Sequence, residues 1–265
     1  MAITINPISP VAFSVLGLDV RWYALAYIAA FVVGYAVFRR LISRQDSMFS
    51  LDKKQLDDLL TAIIIGVIVG GRLGYVCFYD LGYFLTHPLQ ILAVWRGGMS
   101  FHGGLIGVIV ATFLFARKQK INAWSVLDTL AVVAPIGLFF GRIANFINRE
   151  VMGRPTDVPW GVVFNGDTPI PRHPSPLYEA ACEGVALFAI MYVLYKYTNL
   201  RRHPGALGGI MGMLYAVFRM LCELFRAPDA HIGFLTSWGL TMGQMLSGVM
   251  FFCGLAIFVF AIRKK

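Results

Sequence analysis

The sequence is poor in charge, and acidic residues are the scarcer sign. Charged residues make up 14% of the 265 residues, with 14 Asp and Glu against 23 Lys and Arg, while 58% of the residues are apolar. A soluble globular protein carries roughly 25% charged residues, so this chain lacks about half of the charge that coats a surface in water. The composition therefore excludes a soluble enzyme and a disordered chain.

Several familiar signatures are also missing. The sequence contains no P-loop, no Gly-x-Gly-x-x-Gly motif opening a strand–helix unit and no metal-ligand spacing, so we expect no metal and no cofactor. The first twenty residues hold no Lys or Arg, which argues against a cleaved signal peptide. The cysteines are too few for a secreted disulfide scaffold, and we expect them to be small apolar side chains. They are Cys77, Cys182, Cys222 and Cys253.

The apolar residues are concentrated in long blocks separated by short charged segments. A helix needs about 20 mostly apolar residues to cross the hydrocarbon core of a bilayer, and the blocks do not alternate as transmembrane strands do. The sequence therefore predicts an all-α integral membrane protein with seven transmembrane helices. The predicted spans are Trp22–Phe38, Leu59–Tyr79, Met99–Ala116, Ile121–Phe140, Leu177–Tyr195, Ala206–Phe225 and Ser237–Ile262.

The basic residues between the spans predict the orientation. Cytoplasmic segments are enriched in Lys and Arg, and here all seven lysines fall in one of the two alternating sets of segments. We therefore expect the N-terminus outside, the C-terminus in the cytoplasm and a single polytopic domain over residues 1–265. The net charge of +9 then reflects topology, and we expect no nucleic-acid partner. A long proline-containing segment at about 142–175 is predicted to form an outer loop or arm.

All nine basic residues on the predicted outer side are arginines. Because a guanidinium matches phosphate oxygens in a bidentate way, a lipid phosphate is a natural ligand for arginines at headgroup depth. We expect four of them to anchor helix ends, namely Arg21, Arg96, Arg154 and Arg172. Arg149 and Arg226 are two further members of this set. Arg72, Arg142 and Arg219 are predicted to be buried, where a charge usually faces the bundle interior.

Other polar side chains near the predicted outer ends are candidates with open alternatives. Arg219 has Glu223 one helical turn on, which suits either ligand binding or a structural ion pair. His102 opens the third span and could accept a proton near pH 7, although such a histidine can also be structural. Asn145 and Asn148 could bind a glycerol or phosphate group or cap broken helix ends.

These residues occur in an order that resembles the bacterial prolipoprotein diacylglyceryl transferases, over nearly the whole chain. The most specific match is the 13-residue stretch Gly141–Gly153. Three positions depart from the family pattern: Ala144 and Arg149 replace glycine, and Pro176 replaces glutamine. The other matching motifs are Arg21-Trp22-Tyr23, Gly70–Tyr75, Ser100–Gly104, Arg172–Ser175, Leu177-Tyr178-Glu179, and Tyr215 through Phe218-Arg219, Glu223 and Arg226.

The resemblance implies an enzyme of the bacterial cytoplasmic (inner) membrane that acts at the outer leaflet. It would transfer the sn-1,2-diacylglyceryl group of phosphatidylglycerol to the lipobox cysteine of a prolipoprotein signal peptide, releasing glycerol-1-phosphate. Within that reading His102, Arg142 and Arg219 are catalytic, and the two arginines also bind the lipid. Further lipid-binding candidates are Arg72, Tyr23, Asn145 and Tyr215. The supporting candidates are Gly103, Gly104, Asn148, Glu150, Gly153, Glu223 and Arg226.

Two other classes of function are alternatives, and the first of them would also use arginines within the membrane. A transporter or flippase for anionic solutes or lipids predicts charges through both halves of the bilayer, whereas here the arginines crowd the outer half. A structural scaffold leaves His102 and the outer arginines unexplained. The identity of the base that deprotonates the thiol also stays open, because His102 could instead hold the headgroup.

Overall fold

The computed structural model describes residues 2–15, 17–79, 81–227, 235–236 and 239–264, without the side chain of Arg96. Among these residues, seven helices are long and apolar enough to cross a membrane, which confirms the predicted all-α architecture. Only 17–39% of the residues in the most apolar window of each span are buried inside the protein. The spans are Trp22–Ile42, Lys53–Tyr79, Phe101–Gln119, Ala123–Ile147, Ser175–Tyr197, Ala206–Glu223 and Met242–Arg263.

The helices are numbered along the chain. The longer ones are α1 (Trp22–Ile42), α2 (Lys53–Phe78), α4 (Phe101–Gln119), α5 (Ala123–Ile147), α8 (Ala206–Glu223) and α9 (Met242–Arg263), with a short α3 (Leu81–Thr86) after α2. The fifth span is composite, because α6 (Ser175–Glu179) continues through a π-helical stretch, Ala180–Ala186, into α7 (Leu187–Tyr197). π-Helical segments are rare and often occur at functional sites.

Several predicted boundaries were wrong by a few residues, most notably at the fourth span. We expected that span to cover Ile121–Phe140 with Arg142 at its end, whereas α5 continues to Ile147. Apolar residues such as Ile143 and Phe146 extend the helical stripe past the charged position, so Arg142 lies on the helix itself. The first six residues of the predicted 142–175 arm are therefore helical. The predicted start of the last span, Ser237, lies outside the described residues.

Four short strands precede α1 or follow α5. Strand β1 (Ile3–Ile5) pairs in parallel with β4 (Val162–Phe164), which joins the start of the chain to the segment after α5. Strands β2 (Val11–Val15) and β3 (Leu18–Arg21) form an antiparallel hairpin. The indole N–H of Trp22 donates to the Ser9 carbonyl at 3.1 Å and ties this hairpin to the start of α1.

The chain divides into two compact units, and the smaller one is Arg39–Leu127. Inside it, glycines at four-residue spacing allow α2 and α4 to approach closely, a common mode of helix packing in membranes. A Cβ added to Gly66 would lie 2.6 Å from the Gly107 carbonyl oxygen, and one added to Gly74 would lie 2.7 Å from the Gly103 Cα. Gly103, a supporting residue in the sequence prediction, thus allows the close contact between α2 and α4.

The larger unit is Met1–Phe38 with Asp128–Lys265. Helices α8 and α9 pack together through Gly209 and Gly254, since a Cβ on either would meet a backbone carbonyl of the other helix. Asp128 of α5 accepts the backbone N–H groups of Gly205 at 2.8 Å and Gly208 at 2.7 Å. Because Gly205 has no side chain to cap α8, the buried Asp128 carboxylate serves the free N–H groups at that helix start.

Candidate functional site

The larger unit contains a buried cluster of six charged side chains. Arg142 comes from α5, Glu179 from α6, Glu183 from the π-helical stretch, Arg219 and Glu223 from α8, and Arg226 from the turn that follows. We call these six residues the arginine–glutamate cluster. The Arg219–Glu223 pair one turn apart is present, as the sequence suggested, with a separation of 2.8 Å.

Glu179 is the hub of the arginine–glutamate cluster. One carboxylate oxygen lies 2.7 Å from Nη1 of Arg142, and the other lies 2.9 Å from Nη1 of Arg219. The same second oxygen lies 3.5 Å from Nη1 of Arg226. Because the Glu179 side chain has no exposed surface, its charge needs these guanidinium partners within the protein.

Two further carboxylates complete the arrangement. Glu183 Oε2 accepts from Nη2 of Arg142 at 3.0 Å and from its Nε at 3.3 Å, and Oε1 lies 3.7 Å from Arg219. Glu223 binds the other edge of the Arg219 guanidinium. Three cations and three anions are therefore packed together, and the cluster is formally neutral when all six are charged.

The arginines are partly accessible, whereas the glutamates are not. The side chain of Arg142 is 18% exposed and that of Arg219 is 12% exposed, against 0% for Glu179 and Glu183. The carboxylates thus bind the guanidiniums from the protein side and fix their planes. A fixed set of N–H donors at a surface edge is suited to stabilising negative charge that develops on a phosphate.

A second group of polar side chains lies next to Arg142 in the same unit. The amide of Asn145 donates to the hydroxyl of Tyr23 and to Glu150 Oε2, and the Tyr23 hydroxyl donates to the same carboxylate at 3.0 Å. Tyr23 also interacts electrostatically with Arg142. Four sequence-predicted residues from α1, α5 and the following turn are therefore brought together.

Tyr215 joins the cluster from α8. It lies one helical turn before Arg219 and interacts electrostatically with Glu183, Arg142 and Arg219. A half-buried phenol among these charges can donate a hydrogen bond to an oxyanion without adding a net charge. The structure thus brings Tyr215 together with the two predicted catalytic arginines.

The turn after α5 is held by backbone pairing that requires glycine at position 153. Gly153 donates its N–H to the His173 carbonyl at 2.9 Å, and an added Cβ would lie 2.5 Å from the Phe225 carbonyl oxygen and 2.6 Å from that of His173. Arg172 donates to the Gly153 carbonyl at 3.1 Å. Gly153 therefore allows two chain segments to close beside Arg226.

Two other residues near this turn have distinct surroundings. The side-chain amide oxygen of Asn148, Oδ1, is buried and has no hydrogen-bond partner among the described residues. His173 Nδ1 lies 3.2 Å from the Tyr178 hydroxyl, which also accepts from the indole of Trp160 at 2.7 Å. Partial burial lowers the pKa of His173, because desolvation disfavours the imidazolium.

Arg72 has a different environment from that expected of a lipid ligand. Four of its five N–H donors bind backbone carbonyls, those of Ile91, Gly97, Gly98 and Gln90, at 2.6–3.1 Å. The side chain is buried, and the guanidinium also lies over the ring of Phe84. These contacts anchor the 90–98 segment to α2, within the smaller unit.

His102 lies in the first turn of α4, also within the smaller unit. Ser100 caps this helix by accepting the Gly103 N–H at 3.3 Å, which places His102 at the second helical position. The imidazole is exposed and its ring packs edge-on against Phe101 at a centroid separation of 5.6 Å. Gly104 has only ordinary contacts around it.

Sequence reasoning missed the central roles of two glutamates. Glu179 was recognised only as part of a motif, and Glu183 was not singled out. Their spacing of four residues on an apolar span places both on one helical face, which was an available signal. Within the described parts of the chain, no group of three His, Cys, Asp or Glu side chains is placed to hold a metal ion.

Sequence comparison with known proteins identifies the family of this chain. The family model of prolipoprotein diacylglyceryl transferase matches residues 10–260. The phosphatidylglycerol–prolipoprotein diacylglyceryl transferase of Rhodospirillum rubrum is 48% identical over 265 residues, covering 100% of this chain and 96% of the relative. Proteins of the same name from Methylocella silvestris and Paramagnetospirillum magneticum are 48% and 47% identical, each covering 97% of this chain and 95% of the relative. The chain belongs to the prolipoprotein diacylglyceryl transferase family.

Proposed function

We propose that this protein transfers the sn-1,2-diacylglyceryl group of phosphatidylglycerol to the lipobox cysteine of prolipoprotein signal peptides. The cysteine sulfur attacks the carbon of the diacylglyceryl group that is bonded to the phosphate oxygen, and a thioether bond forms. The carbon–oxygen bond to the phosphate breaks, glycerol-1-phosphate leaves, and the thiol proton passes to a base. This is the first step of lipoprotein maturation, and it takes place without a covalent enzyme intermediate, since the substrate protein supplies the nucleophile.

The observation that carries the proposal is the arginine–glutamate cluster. Breaking a carbon–oxygen bond leaves negative charge on the departing phosphate, and oriented guanidiniums are the strongest donors for that charge. Arg142 and Arg219 are the proposed catalytic cations, because both are partly exposed and both are fixed by carboxylates. Lipid phosphate would also be bound by these two residues before the reaction.

The thiol needs a base, because a free cysteine with a pKa near ~8.5 is only a few per cent thiolate at neutral pH. His102 is the proposed base, since its imidazole is exposed and histidine is the most frequent general base. An alternative role for His102 is to hold the lipid headgroup, with another group accepting the proton.

The remaining polar residues are proposed to orient the headgroup or to support those that do. Tyr23, Asn145 and Tyr215 are the proposed headgroup ligands beside Arg142. Arg72 stays a proposed ligand on the family resemblance, although its contacts favour a role in anchoring the 90–98 segment. The proposed supporting residues are Gly103, Gly104, Asn148, Glu150, Gly153, Glu223 and Arg226.

The proposed location is the bacterial cytoplasmic (inner) membrane, with the reaction at the outer leaflet. The lysine-rich segments support a cytoplasmic C-terminus and an external N-terminus. In that orientation, the arginine–glutamate cluster lies at the ends of spans that face the outer leaflet, where both lipid headgroups and exported signal peptides are accessible.

The direct test combines the purified protein in detergent with phosphatidylglycerol and a lipobox peptide. We expect release of glycerol phosphate and a mass gain on the peptide cysteine equal to one diacylglyceryl group. A peptide with Cys→Ser serves as the control and should give neither product. Binding of phosphatidylglycerol with no release in any condition would refute the transferase and favour lipid transport.

Two substitutions then assign the roles. Arg142→Lys should lose nearly as much turnover as Arg142→Ala, because lysine lacks the bidentate donor geometry; full activity with lysine would show that charge alone suffices. His102→Gln should lose turnover while it keeps lipid binding, and weakened lipid binding with residual turnover would refute its role as the base.

A further inference from the structure

The side of Glu223 that faces away from Arg219 contacts the first turn of α9. The Thr241 hydroxyl donates to Glu223 Oε1 at 3.0 Å, while Glu223 Oε2 binds Arg219 at 2.8 Å. Thr241 is 3% exposed, and it also caps α9 by accepting the Gln244 N–H at 3.2 Å. One buried hydroxyl therefore links the start of α9 to the ion pair of a proposed catalytic arginine.

Gly243 makes a second, independent contact with the same carboxylate. A Cβ added at this position would lie 2.8 Å from Glu223 Oε1, 2.9 Å from its Cδ and 3.0 Å from Oε2. The carboxylate thus packs directly on the backbone of the α9 first turn, where the helix dipole also favours a negative charge. Any side chain at position 243 would have to displace Glu223.

We propose that Thr241 and Gly243 are positioning residues for the transfer reaction, which act on Arg219 through Glu223. This inference rests on the proposed function. Glu223 has a flexible side chain that could adopt other rotamers, but the hydroxyl holds Oε1 and the glycine surface limits the space behind it. Oε2 is then directed at Arg219, and the guanidinium plane is set for the departing phosphate. A small displacement of such a donor costs rate, because its benefit depends on prior orientation.

The test compares variants that separate the contact with Glu223 from the helix cap. Thr241→Val removes the donor and the cap at nearly constant volume, whereas Thr241→Ser keeps both. Gln244→Ala removes the other hydrogen bond of the cap, from the Thr241 N–H to Oε1 of Gln244 at 3.1 Å, and leaves the contact with Glu223 in place. Thr112→Val is a matched control, because Thr112 is fully buried and its hydroxyl donates within its own helix at 2.8 Å.

We expect Thr241→Val to lower kcat by about tenfold, which corresponds to loss of one hydrogen bond to a charged group. Gly243→Ala should lower kcat by a similar factor, whereas Thr241→Ser, Gln244→Ala and Thr112→Val should stay within about twofold of the wild type. In a Glu223→Gln background, Thr241→Val should have little further effect, because the two residues act through one contact.

Three results would overturn the inference. They are full activity of Thr241→Val, an equal loss in Gln244→Ala, and an additive loss of Thr241→Val in the Glu223→Gln background. Binding of glycerol-1-phosphate gives a readout that does not need turnover: its affinity should fall several-fold in Thr241→Val and not in Thr241→Ser. If the wild type gives no thioether product, the proposed transferase function fails, and this binding comparison alone decides the inference.

Discussion

Replacing Glu179 by glutamine tests how strongly the arginine–glutamate cluster depends on its central anion. The side chain keeps its shape, but three guanidiniums at 2.7, 2.9 and 3.5 Å lose their shared counter-charge. Removing one partner of a buried ion pair costs about 3–5 kcal/mol, since a buried charge is left uncompensated. We therefore expect Glu179→Gln to lower the free energy of unfolding by about 3–5 kcal/mol. For a chain of this length, that corresponds to a fall in Tm of roughly 6–20 °C.

The measurement is thermal unfolding of the purified protein in detergent, with an exposed ion pair as the control. Arg149 and Asp167 lie 3.3 Å apart with side chains 36% and 48% exposed, so Asp167→Asn should cost only about 0–1 kcal/mol. Transfer activity is then assayed well below the Tm of each variant, and Glu179→Gln should lose turnover because Arg142 and Arg219 are no longer held. A Tm equal to that of Asp167→Asn, with normal turnover, would refute a structural and catalytic role for the cluster.

Three further substitutions have expected effects on stability. Arg72→Lys should destabilise the protein by about 3 kcal/mol, because lysine cannot serve four carbonyls at once, and unchanged stability with weaker phosphatidylglycerol binding would instead support a lipid ligand. Gly74→Ala should lower the free energy of unfolding by about 1–3 kcal/mol, because the added methyl group separates α2 from α4. Gly137→Ala, which has open space around it, should raise that free energy by about 0.5–1 kcal/mol. Equal effects of the two substitutions would contradict the packing argument. Arg149→Gly should stabilise the protein by about 0.5–1 kcal/mol, since Arg149 has a left-handed φ of 60°, and a loss of stability on thermal unfolding would show that its side-chain contacts dominate.

The spans could be predicted from the sequence because the bilayer imposes a length on every apolar block. Their ends could not, since a charge is expected at an interface unless the protein itself binds it. The sequence predicts Arg142 at the end of its span, whereas α5 continues past it and two buried glutamates bind the guanidinium. The contacts in the structure are also needed to distinguish the roles of Arg72 and Arg142. The sequence predicts that both are buried, but Arg72 binds backbone carbonyls and Arg142 binds carboxylates.

Partial information was available for the candidate site. Motif residues such as Tyr23, Asn145 and Glu150 could be collected from the sequence, and the structure brings them into direct hydrogen bonds. The spacing of Glu183 from Glu179 was a signal that both face one side of the span, but its role depends on arginines from other helices, which the sequence does not place. Thr241 was missed for the same reason, since a hydroxyl at a helix start is usually read as a cap.

The three glutamates of the cluster also explain how a membrane protein can hold three arginines at a site that releases glycerol-1-phosphate. Three uncompensated cations among membrane-spanning helices would be costly to bury, and they would bind both the lipid phosphate and the product phosphate strongly. Strong binding of both states lowers no barrier, because only interactions that strengthen in the transition state accelerate the reaction. Carboxylates that neutralise the cluster weaken ground-state binding but leave the exposed edges of Arg142 and Arg219 fixed in place. Under the proposed function, the guanidiniums then contribute most when charge moves onto the departing oxygen, and the neutral cluster can release glycerol-1-phosphate afterwards.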